Sequence, residues 1–176
     1  ALRTIELRAM EPTPEGKERE VVFLRPHGIQ FVDAGHILVT SEATRRLLLV
    51  DIASGKVERT WTSPQTLLHM IALAPGGKRA FGTSLREGSL ATFALDAEKP
   101  ATTLLTGKGA EGIAVAPQSG EIWVTNREDD SLSICSADGS KVLAQVATRD
   151  FPIRVAFVPD RSEEHTSELQ SHSDLV

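Results

Sequence analysis

His27, His69 and Glu111 are the residues of this chain whose types and spacing point most directly to chemistry. Each follows the one before by 42 residues, and a further step of 42 reaches Ile153. Two imidazoles and a carboxylate brought to one point can hold a divalent metal, with a further position open to water or substrate. The same groups can instead polarise a carbonyl or orient a bound acid. Arg154 stands one residue further on in this register, opposite Gly28, Met70 and Gly112, and would add an anion-binding guanidinium. The plainer alternative is that each of these is a solvated or backbone-bonded turn residue.

Other reactive types are less informative. Asn126-Arg127-Glu128-Asp129-Asp130 is a charged loop that offers carboxylates to Ca²⁺ but lacks a calcium-loop pattern, so it reads as a solvated turn. Glu42 and Arg45-Arg46 occupy the equivalent loop of an earlier copy and read as a wet loop in the same way. Cys135 lies between Ile134 and Ser136 in a strand pattern, which makes it an inert, covered thiol. Trp61 and Trp123 read as packing residues. There is no Gly-rich phosphate loop, and no Ser, His and Asp arrangement stands out.

Residues 42 apart can meet only if the chain repeats, and it does. Gly28 to Asp33, Met70 to Pro75, Gly112 to Pro117 and Arg154 to Pro159 are four copies of one apolar run, and their last residues are again spaced by 42. A turn follows the first three copies, then a short strand pattern holding a Thr: Ile37 to Thr40, Arg79 to Thr83, Ile122 to Thr125. A third run follows over 47–51, 90–96 and 132–136, and a fourth over 57–61, 102–106 and 142–146. Each unit is four short strand-forming runs separated by Gly, Pro, Asp and Ser, with no sustained helical period. Four strands per repeat of about 40–45 residues predict an all-β fold, a β-propeller with four-stranded antiparallel blades. A β-sandwich also strings short strands together, but it does not account for the period. Three whole blades are expected, with partial strands at both ends. The polar stretch 11–20 is expected to be a surface loop. Innermost strands line a propeller's channel, so 27, 69, 111 and 154 fall at one channel mouth.

Composition removes several function classes. The single Cys in 176 residues excludes an internal disulfide and a Cys-based zinc site. The net charge of −5 argues against a nucleic-acid partner. Apolar runs such as Leu47 to Val50 fall far short of the roughly 20 residues of a membrane-spanning helix.

Ile122-Trp123-Val124-Thr125-Asn126 resembles the Tyr-Val-Thr-Asn motif of YVTN β-propeller repeats, with Trp in the Tyr position. Val50-Asp51-Ile52-Ala53-Ser54-Gly55-Lys56-Val57 resembles that family's Ile-Asp-x-x-Thr-Gly-Lys-Val turn. Leu73 to Gly77 and Phe157 to Asp160 resemble its Ser-Pro-Asp-Gly turn. Over residues 1–160 the chain is similar to bacterial YncE-like proteins. The resemblance implies a non-enzymatic binding or interaction module in the periplasm or secreted, monomeric when intact, with a small-molecule or protein ligand at the channel mouth. Similar propellers also include lactonases with metal or acid–base groups in the channel. Under that alternative His27, His69 and Glu111 would serve a hydrolase. Similar repeats also accompany quinone- or haem-dependent dehydrogenases, which leaves an accessory role open.

After Asp160 the repeat demands a second strand, but residues 161–176 are polar. Arg161 to Ser171 resembles the translation of a sequencing-library adapter. The segment is therefore expected to be non-native, disordered or a short helix, and His165 and His172 are set aside as ligands. It carries Arg161 with Glu163, Glu164, Glu168 and Asp174, so most of the net charge belongs to it.

Overall fold

A computed structural model describes residues 4–158 and the backbone of 167–171. Three four-stranded antiparallel sheets follow one another along the chain. The first holds β3 (Pro26–Phe31), β4 (His36–Ser41), β5 (Arg46–Asp51) and β6 (Val57–Thr62). The second holds β7 (Ile71–Leu73), β8 (Arg79–Ser84), β9 (Ser89–Ala94) and β10 (Thr102–Leu105). The third holds β11 (Ala110–Val115), β12 (Ile122–Asn126), β13 (Ser131–Cys135) and β14 (Val142–Ala147). Strands pair in chain order, so each sheet is the blade that the repeat predicts.

The core lies between the blades. Leu38 and Leu47 of the first pack with Ala80, Ala91 and Phe93 of the second. Phe81 and Leu90 of the second pack with Ile122, Val124 and Cys135 of the third. Middle strands are thus covered on both faces and read as near-continuous apolar runs, whereas β14, at an outer edge, is exposed along its whole length. Trp123 meets Phe157 edge-on, with ring centroids 5.0 Å apart, and Trp61 packs against the first inter-blade core, as expected of packing residues.

The repeated Thr ties neighbouring blades together. Thr40 Oγ1 accepts from Gly28 N at 2.7 Å and donates to the carbonyl of His69 at 2.7 Å. Thr83 Oγ1 accepts from Met70 N at 3.3 Å and donates to the carbonyl of Glu111 at 2.7 Å. One hydroxyl therefore holds its own inner strand and that of the next blade. The inner strands approach closely enough that a Cβ on Gly28 would stand 2.9 Å from the His69 carbonyl oxygen, and one on Gly112 would stand 2.6 Å from that of Ile153.

The polar stretch expected as a loop is instead a hairpin of β1 (Arg8–Pro12) and β2 (Glu18–Val22), with its turn near Gly16. Tertiary contacts override its weak strand propensity. Glu11 accepts from Arg46 Nε at 3.0 Å and Nη2 at 2.9 Å, and Ile5, Leu7, Ala9 and Val21 pack on Phe23, Val39 and Leu48. At the other end β15 (Pro152–Phe157) begins a further blade. The short helix expected beyond it is not what residues 167–171 form. They are β16 (Ser167–Ser171), antiparallel to β15, where an open strand edge offers backbone partners. Residues 159–166 and 172–176, with His165 and His172, lie outside the described residues.

Candidate functional site

The starts of the inner strands converge as the register predicts. The backbone is irregular at three of the four, with the pairing shifting between Pro26 and Ile29, Ala110 and Ile113, and Pro152 and Arg154, whereas β7 after His69 pairs in regular register. Such bulges re-aim side chains. The His27 ring lies against that of His69, tilted by 33° with centroids 3.9 Å apart, and His69 Nε2 lies 3.1 Å from Glu111 Oε1. Arg154 Nη1 stands 3.7 Å from the same oxygen. Ile153 supplies no polar group.

Two loop residues complete the group, and both overturn the expectation of wet loops. Glu42 is only 5% exposed, and its Oε1 lies 2.6 Å from His69 Nδ1. Arg25 holds its other oxygen at 2.8 Å. Arg127 donates to Glu111 Oε2 at 2.7 Å. The backbone fixes both loops: Glu42 N donates to the Arg25 carbonyl and Arg127 N to the Gly109 carbonyl, each at 3.1 Å. Arg25 and Gly109 share a left-handed conformation, with φ of 56° and 67°. Asp129 and Asp130 accept from the amides of Lys108 and Phe151, so they brace turns.

The result is a buried Glu42–His69–Glu111 relay with guanidinium groups on both flanks. Both nitrogens of His69 face carboxylates, so both are donors and the ring is an imidazolium. Burial pushes its pKa down, but the hydrogen bonds to Glu111 and Glu42, and their charges, raise it overall. Burial, then the charge of His69, lowers the pKa of His27, which stays the neutral ring of the pair. Burial raises that of Glu111, but the hydrogen bond and charge of His69, with Arg127 and Arg154, bring it below the ordinary carboxylate range. Counting Arg25, Arg127, Arg154 and His69 against Glu42, Glu111 and the Glu128 carboxylate 4.0 Å from Arg127, the mouth carries one excess positive charge. Arg25 and Arg154 are largely exposed and His27 is open to solvent, so they present this charge outward. Cys135 is fully buried, with its thiol pushed up to about 11 by burial, and takes no part.

No family model matches the chain. No curated protein matches it in sequence. Solved structures do match in fold. A streptogramin B lyase superposes with a TM-score of 0.63 at 17% identity, covering 74% of this chain and 44% of that one. The hydrazine synthase of Kuenenia stuttgartiensis gives 0.68 at 14% identity, covering 82% and 45%. A 6-phosphogluconolactonase candidate of Bacteroides uniformis gives 0.61 at 15% identity, covering 85% and 54%. The fold is that of β-propeller-like proteins, and this chain spans about half the length of those structures.

Proposed function

We propose that this chain is the part of a YVTN-type β-propeller that binds a small anionic ligand at the channel mouth, as a binding module outside the cytoplasm. One observation carries the reading. Arg25, Arg127 and Arg154 are all attached to a single buried Glu–His–Glu relay, which fixes cationic groups beside an open surface. Arg25 and Arg127 each spend an N–H group on a carboxylate, and Arg154 gives one to the Ile153 carbonyl at 3.0 Å. A guanidinium carries five, so Arg25 and Arg154 keep others for a ligand. The excess of positive charge suits an anion, and guanidinium geometry suits carboxylate oxygens. The YVTN assignment gains support from what the motif does here. Thr125 Oγ1 accepts from Gly112 N at 2.8 Å, and buried Asn126 donates to Ser131 and Ser133. The motif is therefore architectural, and the ligand specificity falls to the strand starts and loops.

The test is calorimetric titration of the full chain with succinate, free of metal. Saturable binding that weakens about tenfold in Arg154→Gln is the expected result, the size of one charge-assisted hydrogen bond. Heat that does not saturate, or that is unchanged in Arg154→Gln, would defeat the proposal.

A second reading, a lactonase-like hydrolase, is favoured by the two adjoining imidazoles with oppositely shifted pKa values, one an acid and one a base. Under it His27 would deprotonate a water and the relay would hold the substrate. Lactone turnover lost in His27→Ala would establish it over the first. An accessory role beside a redox enzyme has no separate support in this site.

A further inference from the structure

We infer that His27, Glu42 and His69 form the protein ligands of a divalent transition-metal site, with Glu111 behind them as the residue that orients His69. This deepens the reading of the channel mouth as a ligand site and rests on it. The ligand set differs from the one that spacing alone suggests, because Glu42 replaces Glu111.

The geometry gives each residue its place. One donor atom from each of His27, Glu42 and His69 lies within 4.8 Å of the other two. Bonds of about 2.0–2.2 Å in a tetrahedral site put ligand atoms a little over 3 Å apart, so an ion requires the wider separations to contract and the 2.6 Å contact of Glu42 with His69 to open. His27 is exposed, with its ring resting against His69, so a rotation of its side chain can supply the contraction. Glu42 Oε1 and His69 Nδ1 are already in contact at 2.6 Å, and the proton between them occupies the place an ion would take.

The surroundings match those of a metal-binding histidine. Such a ring donates its other N–H to a carboxylate, which fixes tautomer and orientation. His69 Nε2 faces Glu111 Oε1 at 3.1 Å, and Glu111 is itself held by Arg127 at 2.7 Å. Glu42 is oriented from behind in the same manner, with Arg25 on Oε2 at 2.8 Å and Oε1 left for the ion. Two nitrogens and one oxygen select a borderline ion such as Zn²⁺ or Co²⁺ over Ca²⁺ or Mg²⁺. Three protein ligands leave a coordination position open on the exposed side. An anionic ligand held by Arg25 and Arg154 would reach that position with a carboxylate oxygen.

The experiment is titration of the metal-stripped full chain with Co²⁺, read by visible absorption, with Zn²⁺ competition by calorimetry. One equivalent is expected, with the intense visible bands of a low-coordinate site. His27→Ala and Glu42→Gln should each weaken Co²⁺ at least tenfold, and Glu111→Gln by about 10–100-fold through the orientation of His69. His27→Ala decides the matter if either Glu variant fails to fold, since His27 is exposed. Absence of a saturable Co²⁺ signal, or an affinity unchanged in His27→Ala, overturns the inference. Succinate titration of the same metal-stripped protein keeps the two ideas separate. Succinate binding without Co²⁺ binding ends the metal site alone, while Co²⁺ binding without any succinate binding ends the anion reading alone.

Discussion

Replacing Glu42 by Ala tests the relay where the structure departs most from the appearance of the sequence. Glu42 is 5% exposed and touches two cations, His69 Nδ1 at 2.6 Å and Arg25 at 2.8 Å. Removing one member of a buried ion pair costs about 3–5 kcal/mol, because the remaining charge is left without a partner. The lower end applies here, since His69 keeps Glu111 on its other nitrogen and can shed its proton. The Arg25 contact adds less than about 1 kcal/mol, because Arg25 is mostly exposed. The expected loss is therefore about 3 kcal/mol. Glu42→Gln should recover part of it, because an amide oxygen still accepts from Nδ1. Urea denaturation followed by the fluorescence of Trp61 and Trp123 measures both, with the slope required to stay constant. A glutamate in a wet loop would change stability by no more than about 0.5 kcal/mol. A Glu42→Ala loss that small would refute the buried relay.

Other expectations follow from the same contacts. Thr83→Val keeps the shape but leaves the Met70 amide and the Glu111 carbonyl without their hydroxyl partner, so equilibrium denaturation should show a loss of about 2–4 kcal/mol. The carboxyl of Glu11 is held below its ordinary pKa chiefly by its hydrogen bond to Arg46. Its contribution to hairpin docking is thus present above the unfolded value of 4.5 and is lost as pH falls through the lower folded value. Protection of the β1 and β2 amides against exchange should fall in acid before that of β8 and β9, and Glu11→Gln should abolish the difference. Cys135 should resist thiol reagents at neutral pH in the native state and react on unfolding, as the rate of thiol modification with and without urea will show.

The blades were legible because a blade cannot bury its faces alone. The need to stack like on like imposes the period, and the period places 27, 69 and 111 at one level. What periodicity could not supply was Glu42 and Arg127. They come from loops after the second strand, where Glu42, Leu85 and Arg127 share a structural place but no residue type. Antiparallel pairing contains the missing signal. The second strand ends where the first begins, so Ser41 pairs with Pro26 and Asn126 with Ala110. The residue that follows must then stand over the same mouth. The β1–β2 hairpin was obscured by Glu, Pro and Lys, which are depleted in strands. It is held by Arg46 and a patch of apolar contacts that no window of neighbouring residues contains.

The central claim is that the mouth formed by His27, His69 and their partners is the place where a ligand binds. Imidazole ¹H–¹⁵N spectra of the full chain during succinate titration test it most directly. His36 serves as the internal reference, since it sits at the far end of β4 on Asp33 and Glu58. Saturable movement of the His27 and His69 signals with His36 stationary is the predicted result. Signals that stay in place, or a His36 that moves equally with them, would contradict the account.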